Sequence, residues 1–461
     1  MATVREPATG EEQSSLSAAI WDDARMENRV GMVLCLIPAL YLAGVMVFAV
    51  ANARAFMTDL PQCLRYVVVP GLLLSALLWA AFRARAAWRL QIGGVACGIL
   101  FALFLFEAVL EFRYLQIIRS MVGTEIRQVT NADPFALPPG RTLRQLNTGI
   151  GTTQLSEAVL GGVPGSKVDL CKAGNVPVKY HADQFGFRNP PEAAAQPSPR
   201  ILMIGDSFVE GICLPDGQDI ASRVRAREGS VLSLGSRGAG PLLELAMLGR
   251  FGPVRRPDWT VIIFYEGNDW QNLANELRTP WLVEALGPAP NFGSSTIRPK
   301  AIQAARAQIA RWDNEGPVDT IDLIKQGNVA RNFLGLHQSW VRLGLGYPKS
   351  APEIPQFALV LQRARTVASG WGGRTAIVYL PQSTRFMGLL PNGFAYDSMR
   401  RKVLKAAQHA GVPVIDMTPH FKATPDPIAL YGENHLSPAG ADMVANVLSV
   451  DLRTIEQGKA E

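Results

Sequence analysis

Three polar side chains, spaced in order along the chain, carry the chemistry this sequence can do. Ser207 closes Gly205-Asp206-Ser207, Asn268 lies in Gly267-Asn268-Asp269, and His435 lies in Gly432-Glu433-Asn434-His435-Leu436-Ser437. A serine hydroxyl becomes a nucleophile when a base takes its proton, and an imidazole such as that of His435 can do so. Glu433 or another nearby carboxylate can hold that imidazole in the useful tautomer. Attack of serine on a carbonyl creates an oxyanion, for which the backbone N–H of Ser207, that of Gly238 and the side-chain amide of Asn268 are candidate donors. A lone Gly-Asp-Ser equally fits a polar turn after a core strand, so the reading rests on the ordered set.

The elements that must position these residues follow an α/β pattern. Ile201-Leu202-Met203-Ile204 is a short apolar run and reads as a strand buried on both faces. It ends just before Ser207. Further strands are expected at Ser230–Leu234, Thr260–Tyr265, Thr375–Leu380 and Pro413–Ile415, with helices at Asp219–Arg227, Pro241–Gly249, Met399–Ala410 and Ser437–Leu452. Alternation of this kind implies a parallel sheet with helices on both faces. Ser207, Gly238 and Asn268 then follow the first, second and third strands, where open α/β sheets bind ligands. His435 precedes the last helix. About a hundred residues, 270–370, separate the third and fourth strands. They contain helical stretches at Lys300–Trp312 and Ile321–Leu345 and read as a cap or substrate-shaping insertion; the alternative is an extra helical layer.

The ordered blocks Gly205-Asp206-Ser207, Gly238, Gly267-Asn268-Asp269 and His435 with Gly440 resemble the SGNH (GDSL-type) hydrolase superfamily. The lead-in Asp183-Gln184-Phe185-Gly186-Phe187-Arg188-Asn189 resembles a stretch found before the serine block in bacterial membrane-linked members. The resemblance covers roughly residues 176–455. It implies a flavodoxin-like parallel sheet, and cleavage or transfer of acyl esters through a serine acyl-enzyme without metal, nucleotide or other cofactor. Many members carry Asp three residues before the histidine, where this chain has Gly432. Members resembling polysaccharide O-acetyltransferases carry the acid two residues before, which here is Glu433. Glu433 is therefore the expected orienting acid, with Asp416 in reserve and His420 as a backup base. His181, His337 and His409 are expected to be structural or on the surface.

The chain has 461 residues and a formal net charge of +6. Its basic residues are scattered rather than striped, which argues against a nucleic-acid partner. Three uncharged apolar runs stand near the N-terminus: Val30–Ala53, Tyr66–Phe82 and Leu90–Phe106. Each is long enough to read as a membrane span, the last two near the lower limit of about 17 residues; the alternative is one anchor followed by two buried soluble helices. Arg5, Arg25 and Arg29 precede the first run, and Arg83, Arg85 and Arg89 lie between the second and third, against Arg54 and Arg65 in the first loop. The positive-inside rule then puts the tail 1–29 in the cytoplasm, a three-helix region at 30–112 in the inner or plasma membrane, and everything later on the periplasmic or extracellular side. A linker and lead-in at 113–199 and an α/β domain at 200–461 complete the expected organisation. Glu107 and Glu111 share a helix face and read as interfacial acids at the outer end of the third span.

Of the five cysteines, Cys171 and Cys213 share the outer region, where oxidising conditions permit a disulfide; two unpaired buried thiols are the alternative. The expected activity is a membrane-anchored serine esterase or O-acyltransferase, with acylated carbohydrate as the substrate implied by resemblance. A transferase is expected to need a separate multispan partner to supply the acyl group. The alternatives are an inactive glycan-binding or assembly protein of the same fold, and a lipid esterase.

Overall fold

The structure is a computed structural model. It describes residues 10–51, 53, 60–122, 135–138, 140–173, 176–296, 298–314, 329–345, 353–390, 392–432 and 435–458. The chain divides into two compact units. One comprises Met1–Tyr114 with Asn328–Ser350, the other Leu115–Gly327 with Ala351–Glu461.

In the first unit three helices are long and apolar enough to cross a membrane: Arg25–Ala51, Leu64–Arg83 and Ala86–Gln116. Many of their large apolar side chains are exposed, among them Leu40, Val47, Trp79, Phe101 and Leu105. Burying such surface in lipid removes it from water.

The second unit is built on a five-stranded parallel sheet. We label all strands in chain order: β1 (Lys167–Ala173), β2 (Val176–His181), β3 (Ile201–Gly205), β4 (Val231–Gly235), β5 (Trp259–Tyr265), β6 (Arg374–Leu380) and β7 (Val414–Asp416). The sheet runs β4-β3-β5-β6-β7, and every pairing is parallel. Alternate residues enter two cores. Leu202, Ile204, Leu232, Leu234, Ile262, Phe264 and Tyr379 pack on one side. Ile201, Met203, Val231, Val261, Ile263 and Val378 pack on the other. Both faces are therefore dry, which is why these strands read as continuous apolar runs rather than alternating ones.

The crossover from β3 to β4 passes through helix Ile220–Glu228 on the second core, and that from β4 to β5 through helix Pro241–Arg255 on the first. With right-handed crossovers, this change of face reverses the direction of travel across the sheet. The reversal leaves a crevice at the carboxyl end of β3.

The connection between β5 and β6 is not a single cap. Helix Pro299–Asn314 forms close to the expected place. Helix Gln356–Ser369 is a crossover helix in the main core: Phe357, Val360, Leu361, Ala364 and Ala368 are all buried at helical spacing. The expected long helix Ile321–Leu345 is instead two short ones, Val329–Leu334 and His337–Leu343, broken at Gly335-Leu336; residues 321–328 lie outside the described residues.

The segment before the sheet carries regular structure of its own. β1 and β2 form an antiparallel hairpin over a small apolar cluster, and helix Leu143–Gly149 starts with a capping box from Thr142 and Gln145.

Candidate active site

Ser207 opens a four-residue helix, Ser207–Glu210, directly after β3. Asp206 caps this helix by accepting from Phe208 N–H at 2.9 Å. The turn lies so close to the sheet that a Cβ on Gly235 would meet the backbone nitrogen of Glu210 at 2.2 Å. Only glycine lets β4 end there.

His435 arrives from the opposite end of the chain. The Tyr431–Leu436 bridge and the Gly432 N–H bond to the His435 carbonyl, 2.7 Å, fix its place ahead of helix Pro438–Glu456. Its Nε2 lies 2.8 Å from Ser207 Oγ. Burial pushes the imidazole pKa down to about 4, with Glu210 opposing and Arg237 adding to the fall. Near neutral pH the ring is therefore uncharged, and Nε2 can accept the Ser207 proton while Nδ1 carries the other. His435 Nδ1 is buried and has no acceptor among the described residues.

The orienting acid expected there, Glu433, lies outside the described residues. The reserve candidate, Asp416, is engaged elsewhere. It accepts from Arg400 Nε at 2.5 Å and caps helix Met417–Lys422 through Thr418 N–H at 2.9 Å. Its place at the end of β7 put it in reserve; there its carboxylate holds the Arg400 guanidinium and the cap of its own helix. His420, the backup base, sits in the last turn of that same helix.

The oxyanion candidates follow neighbouring strand ends. Gly238 adopts a left-handed φ of +69°, and a Cβ there would lie 2.4 Å from Thr142 Cγ2. Among the described residues, the N–H groups of Ser207 and Gly238 have no acceptor. Asn268 Nδ2 donates to Asp206 Oδ2 at 3.2 Å; an amide nitrogen carries two N–H bonds, so one is left over. Ser207, Gly238, Asn268 and His435 are partly exposed, while Asp206, Phe208, Arg237, Ala239 and Asp269 beside them are buried. The reactive groups thus face an opening in an otherwise dry wall.

Sequence reasoning missed the groups that brace this wall. Glu210, in the serine helix, accepts from Arg237 N–H at 2.9 Å, from Arg237 Nη2 at 2.5 Å and from the Tyr180 hydroxyl at 3.1 Å. The lead-in then clamps the following loop. Arg188 donates to the carbonyls of Gly211 and Leu214 and to Asp216. Asn189 bonds both backbone groups of Ser233 in β4 at 2.8 Å. Asp183 in turn accepts from Phe185 N–H, Phe187 N–H and Asn189. Cys171 of β1 and Cys213 of the same loop are joined by a disulfide. A polar motif just ahead of a strand was the available signal, but its partners lie in β4 and the serine loop, which sequence spacing does not bring together.

Beneath the crevice lies a set of buried acids. Glu276 accepts from Gly240, Leu242 and Leu243 N–H at 2.7–3.3 Å, capping helix Pro241–Arg255 from outside it. Burial pushes Glu276 up to about 7 against those N–H groups, and Asp206 up to about 6 against Phe208 N–H, Asn268 and Ser207. Glu244 is raised by burial and then by Glu276 and Asp206, and neither of its oxygens has a partner among the described residues.

These shifts fix the sign of a pH effect. A buried acid with a raised pKa binds more protons folded than unfolded, so stability falls as pH rises from its ordinary pKa, near 4, through the folded value. His435 works the other way, but only between about 4 and its ordinary 6.5. Above pH 6.5 Glu276, pushed up to about 7, is still losing its proton. The thermal midpoint of the full chain in detergent should fall over the interval from about pH 6.5 to 8, and Glu276→Gln should flatten the fall. A midpoint that rises with pH there would contradict this account.

Among the described residues, no group of three His, Cys, Asp or Glu side chains is placed to hold a metal ion. No known family and no curated protein matches the sequence. Among solved structures, the chain is similar to a lipase/acylhydrolase from Enterococcus faecalis, at 13% identity and a TM-score of 0.30, over 55% of this chain and 94% of that one. A second solved structure matches at 11% identity and a TM-score of 0.27, over 56% of this chain and 98% of the other.

Proposed function

We propose that this chain is a membrane-anchored SGNH-type serine esterase or O-acyltransferase that works through an acyl-enzyme on Ser207. The observation that carries this reading is the 2.8 Å contact between Ser207 Oγ and a neutral His435 Nε2 at the carboxyl end of β3. In the first half-reaction Ser207 Oγ attacks the ester carbonyl as its proton passes to Nε2. The oxyanion is received by the N–H groups of Ser207 and Gly238 and the free N–H of Asn268. Collapse expels the alcohol, which takes the proton back from Nε2. In the second half, water or a sugar hydroxyl gives its proton to Nε2 and attacks the acyl-serine; collapse breaks the acyl–Oγ bond, and Ser207 Oγ takes the proton back from Nε2 as the acid or the new ester leaves. Hydrolase and transferase differ only in that acceptor.

The substrate class, acyl esters of carbohydrate outside the cytoplasm, rests on the family resemblance and on the arginine count that orients the spans. A transferase would draw its acyl group from a multispan partner. The direct test is intact-protein and peptide mass spectrometry after exposure to an activated acetyl ester. An acetyl group on the Ser207 peptide is expected, and its absence alongside unchanged ester would remove the acyl-enzyme reading.

The orienting acid has its own test. If Glu433 receives the Nδ1 proton, Glu433→Gln should lower kcat by on the order of 10²–10⁴, the range expected when an imidazole loses its tautomer-fixing partner. Asp416→Asn should leave kcat near wild type. Steady-state kinetics with the two variants side by side would reverse the assignment if their effects were exchanged.

A further inference from the structure

Residues 328–350 leave the α/β unit within the β5–β6 connection and join the unit formed by the first 114 residues. Their two short helices, Val329–Leu334 and His337–Leu343, meet the apolar helices through the few polar groups those helices carry. The Glu107 carboxylate, fully buried, accepts from Gln338 N–H at 2.8 Å, Ser339 N–H at 2.7 Å and Ser339 Oγ at 2.7 Å. It thereby satisfies donors that a helix start leaves open. The Tyr41 hydroxyl donates to the Leu334 carbonyl at 3.4 Å. Arg65 Nη1 donates to the Gly344 carbonyl at 3.4 Å. Phe333 packs on Phe104, with centroids 5.4 Å apart, and Phe104 packs on Tyr41 at 5.7 Å.

The depth of these contacts follows from counting. Tyr41 is twelve residues past Arg29, the last charge before the first apolar run. At 1.5 Å per residue this is ~18 Å into a hydrocarbon layer ~30 Å thick. Glu107 is eighteen residues past Arg89, ~27 Å from that charge and so near the opposite rim. The segment therefore runs from the rim, at Ser339, to well inside the layer, at Leu334. Non-helical backbone is tolerated at that depth only where protein satisfies its polar groups, and Tyr41 supplies an acceptor's partner at Leu334. Leu334 itself is 65% exposed, an apolar side chain at the tip with no protein over most of it.

We infer that residues 329–345 form a re-entrant hairpin in the outer half of the bilayer, seated on the spans by Glu107, Tyr41 and Phe104, with lipid acyl chains as the partner of its Leu334 tip. The inference rests on the three apolar helices being spans. It gives the β5–β6 connection a lipid anchor of its own, in addition to the chain's N-terminal attachment.

Spin labels test it in the full chain, reconstituted in lipid nanodiscs with Cys35→Ala, Cys63→Ala and Cys97→Ala. Cys171 and Cys213 are disulfide-bonded and do not react. Labels are placed one at a time by Leu334→Cys, by Val47→Cys in the first span and by Val254→Cys in the α/β unit, all three positions being exposed. Collisions with oxygen and with a water-soluble nickel chelate are then compared. The expected result is loss of nickel-chelate broadening at 334 to the level at 47, with strong oxygen broadening at both. Chelate access at 334 matching that at 254, while 47 stays shielded, would overturn the hairpin and leave the spans standing. Chelate access at 47 would overturn the spans and the hairpin together.

Discussion

Ser207→Ala is expected to lower turnover of a small acetyl ester by on the order of 10⁴–10⁶, the loss typical when an activated serine is removed. The size follows from the geometry: Ser207 Oγ is the hydroxyl held 2.8 Å from His435 Nε2, so the variant keeps only the oxyanion donors and whatever binding the crevice provides. Stability should hardly move. The side chain is partly exposed, and its contacts are His435 Nε2 and a 3.5 Å approach to Asp206 Oδ2. That combination separates this residue from a structural one, because a structural role would lower the thermal midpoint along with the rate. The measurement is initial-rate kinetics on wild type and variant, with a thermal melt of each. Equal rates would move the weight to a glycan-binding or assembly role. A biological activity that survives Ser207→Ala, in a chain whose ester turnover is abolished, would assign that activity to binding.

The sheet was legible in the sequence because its strands are buried on both faces. Ile201–Gly205 and Trp259–Tyr265 contain too little polar character to be anything but core, and glycine or Asn-Asp breaks mark their ends. The serine–histidine pair was legible for a related reason: both residues sit at element boundaries, where order along the chain translates into position along one sheet edge. What escaped was held by pairing at a distance. The β1–β2 hairpin has polar and apolar residues in a pattern broken by a register shift near Cys171, so its alternation is weak. Helix Gln356–Ser369 carries a clean helical stripe, but it lies inside a long stretch that its length alone made look like a cap. Glu107 read as an acid at a helix end because its partners, Gln338 and Ser339, are more than two hundred residues away. Glu210 follows the serine by three residues, and Arg237 directly precedes Gly238. Neither carries a local sign that it pairs with the other.

That pair carries the second large effect. Arg237→Ala should destabilise the α/β unit by about 3–5 kcal/mol, the usual consequence of leaving one partner of a buried ion pair alone. Glu210 is 2% exposed and Arg237 7%, so water cannot replace the guanidinium. The carboxylate would keep only the Tyr180 hydroxyl and the residue 237 N–H. Replacing both residues, as Glu210→Met with Arg237→Met, should recover most of the loss, because the cost lies in the unpaired charge rather than in the missing attraction. Denaturant melts of the three variants decide this, and a double variant no better than Arg237→Ala would refute it. Activity supplies an independent reading. Arg237 contributes to holding the His435 pKa down, whereas Glu210 pulls it up. With Arg237 gone and Glu210 retained, the His435 pKa rises from about 4 toward its ordinary value. The acid limb of the pH–rate profile should therefore move to higher pH in Arg237→Ala, since the rate needs the neutral ring. It should move back in the double variant, where both charges are absent. A purely structural role for the pair would lower the whole profile without shifting its acid limb. Movement of the limb, in the direction set by whichever charge remains, ties the brace behind the serine helix to the base in front of it.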